Sequence, residues 1–147
     1  MKSTAEAVWE HDLVTGSGRV RFKSGAAPDV PVSWASRTET ANGRTSPEEL
    51  LAAAHASCYS MALSAALGRN GTPPERLTVQ AVATFDKVGE GWGVTTMELT
   101  LNAVVPKIAR ETFEQLAQRA KEGCPISKAI KGNVQVRLST HLEGSGP

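Results

Sequence analysis

The sequence predicts a single-domain α+β protein in which antiparallel hairpins surround one long helix that carries a cysteine. Two pairs of alternating apolar and polar segments, joined by short glycine-containing turns, predict the hairpins. Between them, an alanine-rich run from Ser46 to Leu67 predicts the helix. A chain of 147 residues with 40% hydrophobic content is long enough to bury a core. We expect one domain over residues 1–143 and a frayed tail at 144–147.

The first hairpin is predicted at the N-terminus. Small apolar residues alternate with acidic ones over 5–10, glycines at 15–18 form the turn, and 19–23 continues as the second strand. A short extended piece is expected at 32–34. The polar stretch 38–44 predicts a loop.

The long helix has a clear start signal. Ser46 is predicted as its N-cap, Pro47 occupies the first helical position, and Glu49 completes a capping box. The helix should run to about Leu67 and stop at Gly68. Because alanine and serine keep it narrow, other backbone can approach from nearly every side. We therefore expect it to be the most buried element.

The second half of the chain predicts another hairpin, two helices and a last strand. Apolar residues alternate over 77–85 and 97–105, which predicts a half-buried antiparallel pair. Apolar residues at helical spacing over 113–120 predict a helix that ends at a glycine. A short helix then reaches about residue 131, and 134–140 forms the last strand.

Composition and charge exclude several classes of protein. A formal charge of +1 leaves no basic stripe, so we expect no nucleic-acid partner. The first six residues lack the apolar core of a secretory signal. The apolar run from Leu50 to Leu67 contains a histidine and three serines, which makes a poor membrane span. We expect a cytoplasmic protein with no membrane partner, whose cysteines are free thiols or form a transient catalytic disulfide.

The two cysteines stand in different settings. Cys58 lies inside the long helix, where burial raises the pKa of a thiol above its usual value of about 8.5, so it needs a cation to react as a thiolate. An arginine about 4 Å away supplies roughly 4 kcal/mol at an effective dielectric near 20. Cys124 is expected to be exposed at the N-cap of the short helix begun by Pro125, with its sulfur facing free backbone N–H groups.

The spacing of the cysteines excludes two common kinds of site. They are 66 residues apart, which rules out a CxxC redox motif. No nearby set of cysteines and histidines offers four zinc ligands, and we expect no metal and no organic cofactor. Any pairing of the two thiols must come from the fold.

Three neighbours of Cys58 on the helix are candidates for a substrate pocket: His55, Tyr59 and Met61. His55 lies one turn before Cys58, and a Cys/His pair is typical of acyl transfer, although no residue that would orient the histidine is identified. A structural or gating role for His55 stays open. Tyr59 and Met61 either line a pocket for an organic peroxide or belong to the core.

Two motifs resemble the OsmC/Ohr family, which comprises the osmotically inducible and organic hydroperoxide resistance proteins, thiol-dependent peroxidases of bacteria. Residues 46–63 read SPEELLAAAHASCYSMAL, and residues 120–127 read AKEGCPIS. The order of predicted elements is similar as well. The resemblance implies an OsmC-like fold, with antiparallel β-sheets wrapped around a long central cysteine-bearing helix, and an intertwined homodimer.

The resemblance also implies roles for four residues. Cys58 matches the peroxidatic cysteine and Cys124 the resolving cysteine. Glu48 looks like the acidic partner, and Arg37 like the activating arginine of the OsmC branch. The Ohr branch places its arginine in the first hairpin turn, where this chain has TGSG at 15–18, so the OsmC branch is favoured.

Each member of the expected ion pair between Arg37 and Glu48 has an alternative. Glu39 can replace Glu48 as the partner of Arg37, and Arg44 can replace Arg37 as the cation, because the loop geometry cannot be inferred. Ser46 also departs from the family, where asparagine is commoner.

Helix geometry suggests where the cation acts. Glu48 and Cys58 are ten residues apart, which is about 15 Å along one helix. A cluster of carboxylate, guanidinium and thiolate needs contacts near 3 Å. One chain cannot close that gap directly. The hypothesis is that Glu48 and Arg37 serve Cys58 of a second, two-fold related copy.

The implied activity is a thiol-dependent peroxidase that reduces organic hydroperoxides, and hydrogen peroxide, to alcohols and water. Cys58 would become a sulfenic acid, Cys124 would condense with it to an intramolecular disulfide, and an external dithiol would restore both thiols. Three alternatives stay open: a non-enzymatic redox-sensing or small-ligand-binding protein on the same scaffold, a Cys/His hydrolase, and a structural protein with inert thiols.

Overall fold

The computed structural model of the chain describes residues 1–144, so the tail predicted to fray lies, from residue 145 on, outside the described residues. The described part contains six strands and four helices. These fall into two compact units, Met1–Leu50 and Leu51–Pro147, each described by itself below. The single domain expected over 1–143 stays a prediction.

The first unit begins with an antiparallel three-stranded sheet. Strands β1 (Ala5–Glu10), β2 (Ser17–Phe22) and β3 (Val30–Val32) pair in the order β1-β2-β3. The predicted hairpin is confirmed. Its loop is closed by Asp12, whose carboxylate accepts hydrogen bonds from two loop N–H groups at 2.8 and 2.9 Å. The extended piece expected at 32–34 instead ends at residue 32.

A five-residue helix, α1 (Trp34–Thr38), was not predicted. It begins with a reciprocal cap in which the Ser33 and Ser36 hydroxyls each accept the other residue's backbone N–H at 3.0 Å. The helix is too short to show an apolar period, so only this serine pair signals it. It matters because it carries Arg37.

The long helix α2 (Pro47–Arg69) ends two residues beyond the predicted Leu67. The Ser46 hydroxyl accepts the Glu49 N–H at 3.1 Å, which confirms the predicted N-cap. The Glu49 carboxylate accepts from the Thr45 hydroxyl, so the predicted capping box is not completed among the described residues. Length and composition alone would allow α2 to cross a membrane, but one such helix is weak evidence, since the core helix of a soluble protein passes the same test. From residue 51 on, α2 packs as a core helix of the second unit.

The prediction that α2 is the most buried element is wrong for a single copy. Its buried residues recur every three or four positions and form one stripe, whereas Met61, away from that stripe, is 68% exposed. A straight helix turns one face towards a sheet and leaves the other uncovered. The stripe in the second unit comprises Ala52, His55, Tyr59, Leu63 and Leu67.

The second unit pairs β4 (Arg76–Val88) with β5 (Gly91–Val104) as the predicted antiparallel hairpin. Helices α3 (Arg110–Gly123) and α4 (Pro125–Ile130) follow and lead into β6 (Gln135–Glu143). The fold class is confirmed, with one correction: β6 runs parallel to β5. The two helices form a crossover that returns the chain to the starting end of the sheet, which a tight turn cannot do.

The core of the second unit lies between the stripe on α2, the inner face of the sheet and α3. Met97, Leu99 and Leu101 of β5 are at most 1% exposed, and Phe113 of α3 is fully buried. Burial of each such side chain contributes about 1.5–3 kcal/mol. Cys124 belongs to the same cluster, and Cys58 packs against it.

Candidate active site

Cys58 and Cys124 lie side by side in the second unit. Cys58 is half-buried in the middle of α2, and Cys124 is fully buried between α3 and α4. Both are free thiols, Cys58 packs against the buried cluster that contains Cys124, and the nearby Cys124 thiol acts on the pKa of Cys58. The fold therefore brings together two residues that are 66 positions apart in sequence.

The expectation that Cys124 is exposed and faces free N–H groups is wrong. Cys124 does occupy the N-cap of α4, with Pro125 after it, but its sulfur makes no capping hydrogen bond and is 0% exposed. It is also the C-cap of α3, where its N–H donates to the Ala120 carbonyl at 2.9 Å. Because both helices pack on the core at this junction, the side chain points inward.

A backbone N–H at the start of α4 acts on Cys58 rather than on Cys124. The Ile126 N–H lies near the Cys58 sulfur and favours its thiolate. Burial has the larger and opposite effect, and the neighbouring Cys124 adds to it, so the pKa of Cys58 is raised above its ordinary value. No cation within the described residues of one chain contributes to this shift. In one copy, therefore, Cys58 is a protonated thiol at neutral pH.

Arg37 and Glu48 form an ion pair in the first unit. The Arg37 guanidinium donates from Nε and Nη2 to Glu48 Oε1 at 3.0 and 2.7 Å, and from Nε to Oε2 at 3.1 Å. Glu48 is 6% exposed. The two-pronged contact fixes the plane of the guanidinium and compensates the buried carboxylate. Trp34 lies beneath, with its ring 6.0 Å from Arg37 Cζ.

The structure thus joins Arg37 to Glu48 rather than to Glu39. The five-residue helix α1 carries Arg37 to the start of α2, and this connection was absent from the sequence prediction. Arg44 is exposed, and no ion pair to it is found among residues 1–144. Of the two proposed cations, Arg37 is therefore the one held by a buried carboxylate.

The three pocket candidates do not share one face of α2, because His55 and Tyr59 lie on its buried stripe whereas Met61 does not. Tyr59 is fully buried and its hydroxyl donates to the Ala117 carbonyl at 3.0 Å, which makes it a core residue. Burial, with the charges of Glu114 and Cys124, raises its pKa above the ordinary range. Met61 lies on the exposed face of α2.

His55 is fully buried, and its partner is Ser127 rather than Cys58. His55 Nε2 lies 2.8 Å from the Ser127 hydroxyl, while Nδ1 has no hydrogen-bond partner among the described residues. Leaving that atom unpaired costs roughly 1–3 kcal/mol. Burial lowers the pKa of His55, so the ring is neutral at pH 7. This pairing argues against a Cys/His hydrolase, and the sequence analysis missed Ser127 although it lies in the CPIS motif.

The described residues contain no cluster of three or more metal-ligating side chains. A groove of about 560 Å³ lies between α2 and α3. Alanines and Leu116 line most of it, and Arg69 and Arg119 also border it. Ala62 lies one turn after Cys58 and Gly123 directly precedes Cys124, and neither cysteine lines the groove.

Sequence comparison gives consistent matches. The family described as OsmC-like protein matches residues 40–139. Peroxiredoxin OsmC of Escherichia coli (strain K12) is 40% identical over 129 residues, covering 88% of this chain and 90% of that protein. The organic hydroperoxide resistance protein of Xanthomonas axonopodis pv. citri (strain 306) is 27% identical over 132 residues, covering 88% and 91%.

Solved structures share the fold. The organic hydroperoxide resistance protein OhrB of Bacillus subtilis superposes with a TM-score of 0.71 at 24% identity, covering 94% of this chain and 98% of that one. An OsmC-like protein of unknown function from Vibrio cholerae gives 0.77 at 18% identity, covering 96% and 99%. These likenesses confirm the predicted OsmC-like fold of the chain.

Proposed function

The chain belongs to the OsmC/Ohr family and is a cysteine-based peroxidase, and from this we propose that it reduces organic hydroperoxides, and hydrogen peroxide, through a Cys58–Cys124 disulfide. The observation that carries the proposal is the contact between these two free thiols. Inert structural cysteines have no need of a second thiol in contact, whereas a peroxidase with a resolving cysteine does.

The first step uses Cys58 as a nucleophile. Its thiolate attacks the distal peroxide oxygen, the O–O bond breaks, and the alkoxide leaves with a proton as the alcohol. Cys58 is thereby oxidised to a sulfenic acid. The Ile126 N–H, which lies near this sulfur, helps to hold the negative charge before the attack.

The second step uses the buried thiol. The Cys124 sulfur attacks the sulfenic sulfur, the S–O bond breaks, and hydroxide leaves as water with the Cys124 proton. An external dithiol then reduces the disulfide in two exchange steps and is itself oxidised. We also propose a cytoplasmic location, since both thiols are free in the structure and a reducing compartment keeps them so.

The activating cation is proposed to be Arg37 of a second copy, held by Glu48 of that copy. Burial raises the pKa of Cys58, so the thiolate needs a positive neighbour. Ten residues of helix, about 15 Å, separate Glu48 from Cys58 within one chain. A two-fold homodimer can place the pair of one copy against the thiol of the other. The exposed Met61 and Trp9, 68% and 41%, are apolar surface that such a dimer would cover.

Organic hydroperoxides are proposed as the better substrates. Cys58 packs against the apolar core, and the alanine-lined groove begins one turn after it. Each methylene that enters such a groove gains about 0.8 kcal/mol. Comparing catalytic efficiency for cumene hydroperoxide and hydrogen peroxide tests this, and equal values would contradict an apolar pocket.

The proposed cycle is tested by mass spectrometry after one equivalent of organic hydroperoxide. Wild type should give a Cys58–Cys124 linkage and steady turnover with a dithiol. Cys58→Ser should abolish turnover, while Cys124→Ser should react once and then accumulate overoxidised Cys58. Full turnover by Cys124→Ser, or no linkage in wild type, would contradict the disulfide mechanism.

A further inference from the structure

The hydrogen bond between His55 and Ser127 joins the two elements that hold the cysteines. His55 lies on α2, one turn before Cys58, and Ser127 lies on α4, three residues after Cys124. The 2.8 Å contact is buried, with His55 at 0% and Ser127 at 7% exposure. It therefore links α2 to α4 close to the two cysteines.

Packing alone does not account for this pair. His55 Nδ1 has no partner among the described residues, so the imidazole is buried with one polar atom unsatisfied. An apolar side chain of similar size would fill the space without that cost. A costly polar contact at this place suggests a role that an apolar contact cannot perform.

Helix α4 needs an external anchor. It has six residues, too few to be stable alone, and no side chain caps its N-terminus. Yet its first turn supplies both groups that contact Cys58, the Cys124 thiol and the Ile126 N–H. A small shift of this turn would move both away from the sulfur.

We propose that His55 and Ser127 are positioning residues for the resolving step, holding the start of α4 so that the Cys124 sulfur stays within reach of the Cys58 sulfenic acid. The inference rests on the disulfide cycle proposed above. In the step concerned, the Cys124 sulfur bonds to the Cys58 sulfur, the S–O bond breaks, and hydroxide leaves as water with the Cys124 proton. Neither positioning residue exchanges a proton or an electron.

The test separates resolution from peroxide reduction in single turnovers. Ser127→Ala removes the anchor, Ser127→Thr keeps the hydroxyl, and Thr140→Ala is the matched control, because it removes a partly buried hydrogen bond between β6 and α3. Quenched samples are trapped with dimedone, and sulfenic acid, disulfide and sulfinic acid are quantified by mass spectrometry.

Ser127→Ala should resolve about 10- to 100-fold more slowly, the loss expected from misplacing a reacting group by about 1 Å. The rate of the first oxidation should fall by less than the rate of resolution, because Cys58 itself is not moved and displacement of the Ile126 N–H removes only one of the contributions to its pKa. The hydroperoxide concentration that converts half of Cys58 to sulfinic acid should fall by the same factor as the rate of disulfide formation. Ser127→Thr should restore resolution, and Thr140→Ala should leave it unchanged.

Two results would overturn the inference: resolution at the wild-type rate in Ser127→Ala, or an equal slowing in Thr140→Ala, which would reduce the effect to general loss of stability. If Ser127→Ala does not fold, His55→Gln and His55→Leu give the same comparison from α2, with slow resolution expected only for leucine. Absence of the Cys58–Cys124 disulfide in wild type would instead overturn the proposed cycle, and this inference with it.

Discussion

Removal of the Arg37 charge should raise the pKa of Cys58 and slow its oxidation. The variant is Arg37→Gln, which deletes the cation that three hydrogen bonds of 2.7 to 3.1 Å hold on Glu48. Without it, Cys58 should have the raised pKa that burial gives it in a single chain. The thiolate fraction at neutral pH should therefore fall.

The size of the effect follows from Coulomb's law. A unit charge about 4 Å from the sulfur, at an effective dielectric near 20, is worth roughly 4 kcal/mol. That corresponds to about three pKa units, an upper estimate because the charge of Glu48 opposes the cation. Since only the thiolate reacts, the rate constant for peroxide at pH 7 should fall by between about 10- and 1,000-fold.

The single variant also leaves Glu48 buried without its partner, which costs about 3–5 kcal/mol of stability. Arg37→Gln with Glu48→Gln is therefore the matched control, because two neutral amides can still bond to each other. Both variants should show the raised pKa, while the double variant should recover most of the lost stability. Urea denaturation measures the second quantity.

Thiolate absorbance near 240 nm, followed from acid to alkaline pH in a Cys124→Ser background, reports the pKa of Cys58 directly. Peroxide reactivity should rise with pH through that pKa, because deprotonation creates the nucleophile, and in both variants the whole profile should move to higher pH. An unchanged titration in the single and the double variant would refute the assignment of Arg37 as the activating cation.

Three further predictions concern assembly and stability. Specific activity should fall when the enzyme is diluted below its dimer dissociation constant, and a monomer that stays fully active in sedimentation and kinetics run together would rule out a shared site. Tyr59→Phe should cost roughly 0.5–1.5 kcal/mol in urea denaturation, because it removes the buried hydrogen bond that the Tyr59 hydroxyl donates to the Ala117 carbonyl, a carbonyl that also accepts within α3; no loss would show that this bond does not contribute to stability. Burial lowers the folded-state pKa of His55, so the unfolded chain binds more protons and stability should fall as the pH drops below about 6.5, with a plateau above it. His55→Gln should flatten that dependence, and an equal slope in the variant would assign it to other groups.

Local patterns predicted most of the elements because they act within a few residues. The alternation that defines β4 and β5, and the Ser46 cap of α2, need only near neighbours in the chain. The short helix α1 escaped prediction for the same reason, since five residues show no apolar period. The parallel direction of β6 depends on how two helices return the chain, which no local pattern encodes.

The candidate site likewise contains residues that the sequence predicted and contacts that it did not. The family resemblance predicted roles for Cys58, Cys124, Arg37 and Glu48, but not for Ser127, whose proposed role depends on a histidine 72 residues away. The sequence by itself determined the α+β class, the helix that carries Cys58, and the two thiols available for redox chemistry. Only the tertiary structure decided that Cys124 is buried near Cys58 and that the Ile126 N–H lies near the Cys58 sulfur. Side-chain burial and contacts between distant segments depend on the packing of whole elements, whereas periodicity and capping depend on the chain within one or two turns.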